Sequence, residues 1–169
     1  MKNSNIQIIQ ESQPEKGSWL KYAQSSICVD DLFSRTPFSE EAISGLKNAR
    51  VGVVGLGSGG GKIALDLAKA GVGKFVLLDP DRLKPHNVPR HIADLRDIGR
   101  YKVDAVSDRM LYSNPCIQVQ GYPRDCFSPQ SELSPASLFA DCDLIIAATD
   151  RTEIQLAINA VTWRGKIPA

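Results

Sequence analysis

The sequence predicts an α/β fold: a Rossmann-like, doubly wound, mostly parallel sheet with helices on both faces. Three features point to it. Short apolar runs at residues 51–54, 75–78 and 144–148 alternate with stretches of helical period. A glycine loop, Gly55-x-Gly57-x-x-Gly60, joins the first run to the first of the regular helices. An acidic residue, Asp79, stands directly after the second run.

Each element follows from local chemistry. A short helix is expected near residues 39–47, with Ser39 as its N-cap and Glu40 and Glu41 in the first turn, where acidic side chains suit the helix dipole. Val51-Gly-Val-Val reads as a buried parallel strand. Residues 60–70 follow as a helix, with Ile63, Ala64, Leu67 and Ala68 on one face and Gly71 as its stop. Phe75–Leu78 makes the second strand. Val103, Val106, Met110 and Leu111 mark a second clear helix, ended by Ser113-Asn114-Pro115. Ile117–Gln120 reads as a third strand by alternation, Leu144–Ala148 as a fourth, and residues 152–163 as a further helix. The last residues, GKIPA, resemble the opening of a fifth strand, so the chain is expected to be the N-terminal part of a longer domain. Residues 1–46 read as a lead-in segment or the end of a preceding domain, and 47–169 as the nucleotide-binding unit.

Bulk composition narrows the function. A chain of 169 residues, 43% hydrophobic and 23% charged, suits one soluble domain. The net charge of +1 gives no reason to expect binding to nucleic acid or an acidic membrane. No apolar run is long enough to cross a bilayer, and MKNSNIQIIQESQ lacks the apolar centre of a secretory signal, so a cytoplasmic location is expected. Cys28, Cys116, Cys126 and Cys142 form no C-x-x-C pair and read as buried or partly buried thiols rather than a zinc site.

The glycine loop says "phosphate at a helix N-terminus". Gly55 and Gly57 permit a tight turn and close approach to phosphate oxygens, and Gly60 lets the helix pack closely on the strand. It is not a Walker-type loop, because the positions that loop would require around Gly61-Lys62 hold Leu56 and Ile63. Lys62 is left as a solvated or phosphate-flanking charge. Asp79 adds "ribose hydroxyls". Both statements fit an NAD-dependent oxidoreductase as well as an ATP-using enzyme.

The residues after Asp79 separate the two. Asp81, Asn87, Arg90 and Lys102 come next, and Asp150 closes the fourth strand in LIIAATDR. Strand C-termini in such sheets border the ligand, so Asp79 and Asp150 are expected at one crevice. A hydride carrier has no use for so many cations, whereas a triphosphate needs Arg, Lys and a carboxylate-held Mg²⁺. Simpler roles stand beside these: Asp81 capping a turn, Arg90 as a surface charge, Lys102 as a solvated helix start, Asp150 as a helix cap, and His86 and His91 as loop residues.

In this order the motifs resemble the adenylating domain of the ubiquitin-activating-like superfamily, of the ThiF, MoeB and HesA type and its bacterial branch. They are GLGSGG, Ala70-Gly-Val-Gly73, Asp79-Pro-Asp81, Asn87-Val-Pro-Arg90, Lys102 and Ala148-Thr-Asp150, and the likeness covers roughly residues 46–169. The resemblance implies an ATP- and Mg²⁺-dependent adenylyltransferase that activates the C-terminal glycine carboxylate of a small ubiquitin-fold or sulfur-carrier partner ending in Gly-Gly, and that works as a homodimer. It further implies that Asp79 holds the ribose, that Asn87, Arg90 and Lys102 contact phosphates, and that Asp150 binds Mg²⁺. Two positions depart from the family pattern. The upstream arginine that members often lend to a neighbouring subunit has Arg35 as its nearest counterpart, at a different spacing, and Arg151 stands where Asn or Asp often follows the magnesium aspartate. A non-catalytic scaffold or dimerisation half on the same fold is the remaining alternative.

Overall fold

The apolar runs at 51–54 and 75–78 become the centre of the sheet. The protein is represented by a computed structural model describing residues 32–128 and 130–169; Trp19 and Cys28 lie outside them. Its elements are α1 (Glu40–Asn48), β1 (Arg50–Val54), α2 (Ser58–Ala70), β2 (Lys74–Leu78), α3 (Lys102–Ser113), β3 (Gln118–Tyr122), the one-turn α4 (Pro135–Leu138), β4 (Leu144–Ala147) and α5 (Thr152–Gly165). Among the described residues the sheet has four strands in the order β3-β2-β1-β4, all paired parallel, with Val51 opposite both Phe75 and Leu144.

Strand alternation divides the core in two. Val51, Val53, Phe75 and Leu77 face α2 and α3 in one cluster with Ala64, Ala68, Val103, Val106 and Met110. Val54, Val76, Leu78 and Ile145 point the other way, against Phe139, Ile154 and Ile158 around α4 and α5. Gly52 belongs to this second face: a Cβ there would lie 2.8 Å from the Phe139 ring.

Local signals act as expected at the first two helices. The Ser39 side chain accepts the Ala42 N–H at 3.2 Å and caps α1. Gly71 ends α2 in the left-handed region, at φ 104°. The end of α1 is tied to the start of β2 through Gly73 N–H to Leu46 O at 3.0 Å and Lys74 N–H to Ala49 O at 3.1 Å.

Three boundaries differ from expectation. α2 begins at Ser58, two residues early, and its buried face is Gly60, Gly61, Ala64 and Ala68, while Ile63 is 40% exposed. The reason is close approach, since the glycines let this helix lie directly on the loop before it, and Ile63 turns outward. β3 runs from Gln118 to Tyr122, with buried Ile117 just before it. This is an edge strand whose face is largely exposed, so its alternation carries little register information. α5 extends to Gly165. Beyond it, the Pro168 carbonyl accepts the Ile145 N–H at 2.9 Å, on the side of β4 away from β1, where a fifth strand was expected to open. No helix of the described residues is long and apolar enough to cross a membrane.

The glycines of the loop divide their work. A Cβ on Gly60 would collide with the Gly55 carbonyl oxygen and lie 2.9 Å from the Ala148 Cβ, whereas one on Gly57 would meet nothing within 4 Å. Gly60→Ala is therefore expected to cost about 2–3 kcal/mol of folding stability, the upper end for overpacking. Gly57→Ala is expected to cost no more than about 1 kcal/mol, since it only exchanges a favoured N-cap residue for a poor one. Urea unfolding of the two variants checks the ordering.

Candidate active site

The C-terminal ends of β1, β2 and β4 open onto one cleft of about 460 Å³. Its lining includes Gly55, Gly57, Asp79, Asp81, Asn87, Arg90, Lys102 and Asp150. Of the three loop glycines only Gly60 is not in the wall, because it packs beneath the loop, and His86 also lies outside the lining. Arg35 is exposed and stands outside the cleft, and Lys62 pairs with Asp66 on the solvent face of α2 at 2.9 Å.

The floor is the turn between β1 and α2. Gly55 has φ 88°, and its N–H donates to Leu78 O at 2.8 Å, so the chain turns sharply off the strand. Gly57 is the N-cap of α2 and offers no side chain to the first turn. The early backbone N–H groups of α2 thus face the cleft with the positive end of the helix dipole, a ready anion site.

Asp79 fastens this floor to the wall beside it. One carboxylate oxygen, Oδ2, accepts the Leu56 N–H at 2.7 Å, and Oδ1 accepts the Asp81 N–H at 2.8 Å. The residue is 5% exposed. Burial pushes its carboxyl up from the ordinary value, against the opposing pull of those two N–H groups and of Lys102. His91 adds a second tie: the Ala93 N–H donates to its Nδ1 at 3.0 Å, so Nε2 carries the proton and donates to Leu56 O at 2.7 Å.

Lys102 is the first residue of α3 and is buried, with Nζ 2.7 Å from Asp81 Oδ2 and 3.8 Å from Asp79 Oδ1. A cation at a helix N-terminus opposes the dipole, and burial adds to the cost. Two carboxylates offset it. The solvated-helix-start role is thereby excluded, and the Asp81 carboxylate serves as the lysine's counter-ion rather than as a turn cap. Asn87 accepts the Lys84 N–H on Oδ1 at 3.0 Å, which leaves its amide N–H groups as donors. Arg90 and Asp150 are exposed in the cleft, and neither has a hydrogen-bond or ion-pair partner among the described residues. The N-cap of α5 is Arg151, so Asp150 is not spent on capping.

The segment carrying Arg90 and Lys102 is long but held at its base. Leu83 N–H donates to Arg100 O at 2.8 Å, Gly99 N–H to Leu83 O at 2.9 Å and Lys102 N–H to Asp81 O at 2.9 Å. Buried Asp97 accepts Arg100 at 2.7 Å and Arg109 at 2.6 Å.

Sequence reading missed one wall. Arg124, Asp125 and Phe127, from the connection after β3, line the cleft with Thr149 and Arg151. Arg151 Nη1 is 2.9 Å from Asp125 Oδ2, and its Nε is 2.8 Å from Glu153 Oε1. No local motif announces this wall; the one signal was the charge of Arg151 beside Asp150. Cys126 and Cys142 are buried and Cys116 partly so, as expected, and burial raises the Cys126 thiol to about 11.

The Asp79 shift has a testable sign. Folded protein holds this proton more tightly than unfolded chain, so wild-type stability falls as pH rises above the unfolded carboxyl's pKa of about 4. The stability difference between Asp79→Asn and wild type is expected to move in the variant's favour over that rise, measured as thermal unfolding against pH. A difference independent of pH would contradict a buried, upshifted carboxyl.

Comparison with known proteins agrees with this geometry. The chain is 33% identical over 132 residues to the molybdopterin-synthase adenylyltransferase of Escherichia coli, covering 78% of this chain and 51% of that protein. It is 34% identical over 126 residues to the probable adenylyltransferase/sulfurtransferase MoeZ of Mycobacterium tuberculosis, covering 72% and 30%. The crystal structure of E. coli tRNA N6-threonylcarbamoyladenosine dehydratase, TcdA, in complex with ATP superposes with a TM-score of 0.73 at 28% identity, covering 82% of this chain and 57% of that one. The chain thus spans about half the length of the E. coli adenylyltransferase. The ThiF family itself matches residues 32–169, every described element included, and the chain belongs to that family.

Proposed function

We propose that this chain forms the ATP site of an adenylyltransferase that activates the C-terminal glycine carboxylate of a small ubiquitin-fold or sulfur-carrier protein ending in Gly-Gly. The observation that carries the reading is the convergence, in one cleft, of a helix N-terminus, the cations Arg90 and Lys102, and the exposed carboxylate of Asp150. The names of the adenylyltransferase relatives and the ATP complex of TcdA support it.

In this mechanism the triphosphate lies over the N-terminus of α2. Gly55 and Gly57 let it approach the backbone, and Asp79, whose carboxylate still has lone pairs to offer, holds the ribose. Asn87 donates its amide N–H to a phosphate oxygen. Arg90 and Lys102 neutralise charge that grows on the phosphates as the reaction proceeds, and Lys102 exchanges Asp81 for phosphate in doing so. A carboxylate oxygen of the carrier's terminal glycine attacks the α-phosphorus. The bond from that phosphorus to the oxygen bridging to the β-phosphate breaks, pyrophosphate leaves, and the acyl-adenylate remains.

Mg²⁺ suits this donor set. Asp150 offers a hard, exposed carboxylate, and the described residues contain no group of three or more His, Cys, Asp or Glu side chains that would cage a metal on their own. A single carboxylate completed by phosphate oxygens and water is how Mg²⁺ is commonly held, and when bound it would screen the phosphate charge. A homodimer, with Arg35 as the residue nearest to an arginine lent between subunits, completes the proposal.

The test is ATP–pyrophosphate exchange by the complete protein with a set of ubiquitin-fold proteins ending in Gly-Gly. Exchange is expected only with the cognate carrier and Mg²⁺. Asp150→Ala and Arg90→Ala are each expected to lower its rate about 10²–10³-fold, the loss typical of removing one group that stabilises developing charge. Undiminished exchange in Asp150→Ala would refute the metal assignment, and NADH binding without ATP binding would overturn the adenylation reading.

A further inference from the structure

Arg151 has no role in the adenylation mechanism, yet it is a fixed cation in the cleft wall next to Asp150. We propose that Arg151 recognises the carboxylate that the enzyme activates; this rests on the adenylation reading. The cleft draws its cations from two sides. Arg90 and Lys102 come from the segment between β2 and α3, whereas Arg124 and Arg151 come from the connection after β3 and from the start of α5. In the adenylation reading the first set serves the triphosphate, together with the N-terminus of α2 and Mg²⁺ at Asp150. The reaction brings a second anion, a carboxylate, against an α-phosphate of like charge, and that approach needs a cation on the incoming side.

Arg151 is built for a carboxylate. Its guanidinium already binds two of them, Glu153 through Nε at 2.8 Å and Asp125 through Nη1 at 2.9 Å. These contacts fix the plane of the fork from two elements, so little orientation remains to be lost on binding. The side chain is 49% exposed, and Nη2 donates to no group among the described residues. A third carboxylate can take the Nη2 edge alone, or take both Nη1 and Nη2 by exchanging with Asp125, in the parallel two-bond geometry that arginine makes with carboxylates. Arg124, which has no ion-pair partner among the described residues, stands beside Asp125 in the sequence and can take up its charge when that exchange occurs.

The experiment uses the complete ¹⁵N-labelled protein saturated with a non-hydrolysable ATP analogue. Shifts of the Gly55 and Gly57 amides report the analogue before any carboxylate is added. The Arg151 Nε–Hε resonance, identified by its loss in Arg151→Lys, is then followed while acetyl-Gly-Gly is added as the free acid, as its amide, and alongside pyrophosphate in a separate titration. The free acid is expected to move the resonance and the amide to leave it still. Arg151→Lys is expected to weaken free-acid binding about tenfold, the worth of one charge-assisted hydrogen bond, and to leave analogue affinity within about twofold. A resonance moved by pyrophosphate and not by the free acid would make Arg151 a phosphate ligand and overturn the inference. A resonance moved by neither would make it a brace between Asp125 and Glu153, with the same consequence. Glycine-loop amides unmoved by the analogue would instead overturn the ATP reading, and this inference with it.

Discussion

The buried Asp79 carboxylate is the interaction on which the site depends. Its two oxygens accept backbone N–H groups from two separate loops, Leu56 on the glycine turn and Asp81 on the segment leaving β2. Desolvating an anion is costly, and without those donors and the nearby Lys102 the position would be unfavourable. With them, the carboxylate sets the distance between the floor of the cleft and its cationic wall. His91 repeats the tie through the Leu56 carbonyl, so both backbone groups of that one residue are held by the neighbouring segment. The glycine turn is thereby held in shape before any ligand arrives, which is the condition for electrostatic preorganisation.

The second constraint is that both faces of the sheet are covered. β1 and β2 send alternate side chains to two separate cores, so the glycine turn that follows β1 is anchored from both sides. Close helix packing then decides details that periodicity alone does not. α2 presents Gly60, Gly61, Ala64 and Ala68 inward, a stripe of small residues rather than of large apolar ones. The helix can therefore sit low on the turn, with its N-terminus level with the cleft.

Much of this was legible in the sequence. β1, β2, the loop between β1 and α2, and the approximate extents of α3 and β4 follow from apolar runs and glycine placement, which are local signals. Ile63 misled because a helical pattern of large apolar residues normally marks the buried face, and here the buried face belongs to glycine and alanine. β3 slipped because an edge strand with exposed side chains leaves its register to backbone pairing. The wall formed by Arg124, Asp125 and Arg151 was not readable as a wall, although Arg151 stood out beside Asp150. Asp125 and Arg151 are 26 residues apart, and they meet because the connection after β3 passes to the opposite face of the sheet on its way to β4. Only topology brings them together, and no spacing rule encodes it.

The strand order also has a consequence in time. β4 docks on β1, and the Arg50 N–H to Asp143 contact at that seam spans 93 residues, against 23 for the Leu56–Asp79 clamp. Closing the longer loop costs more chain entropy, so that seam is expected to form after the clamp. During synthesis the same order is imposed by the ribosome, since residues 55–102 emerge before β4. The half of the cleft bearing Asp79, Arg90 and Lys102 is thus assembled early, while the half bearing Asp150 and Arg151 waits for the sheet to accept its fourth strand.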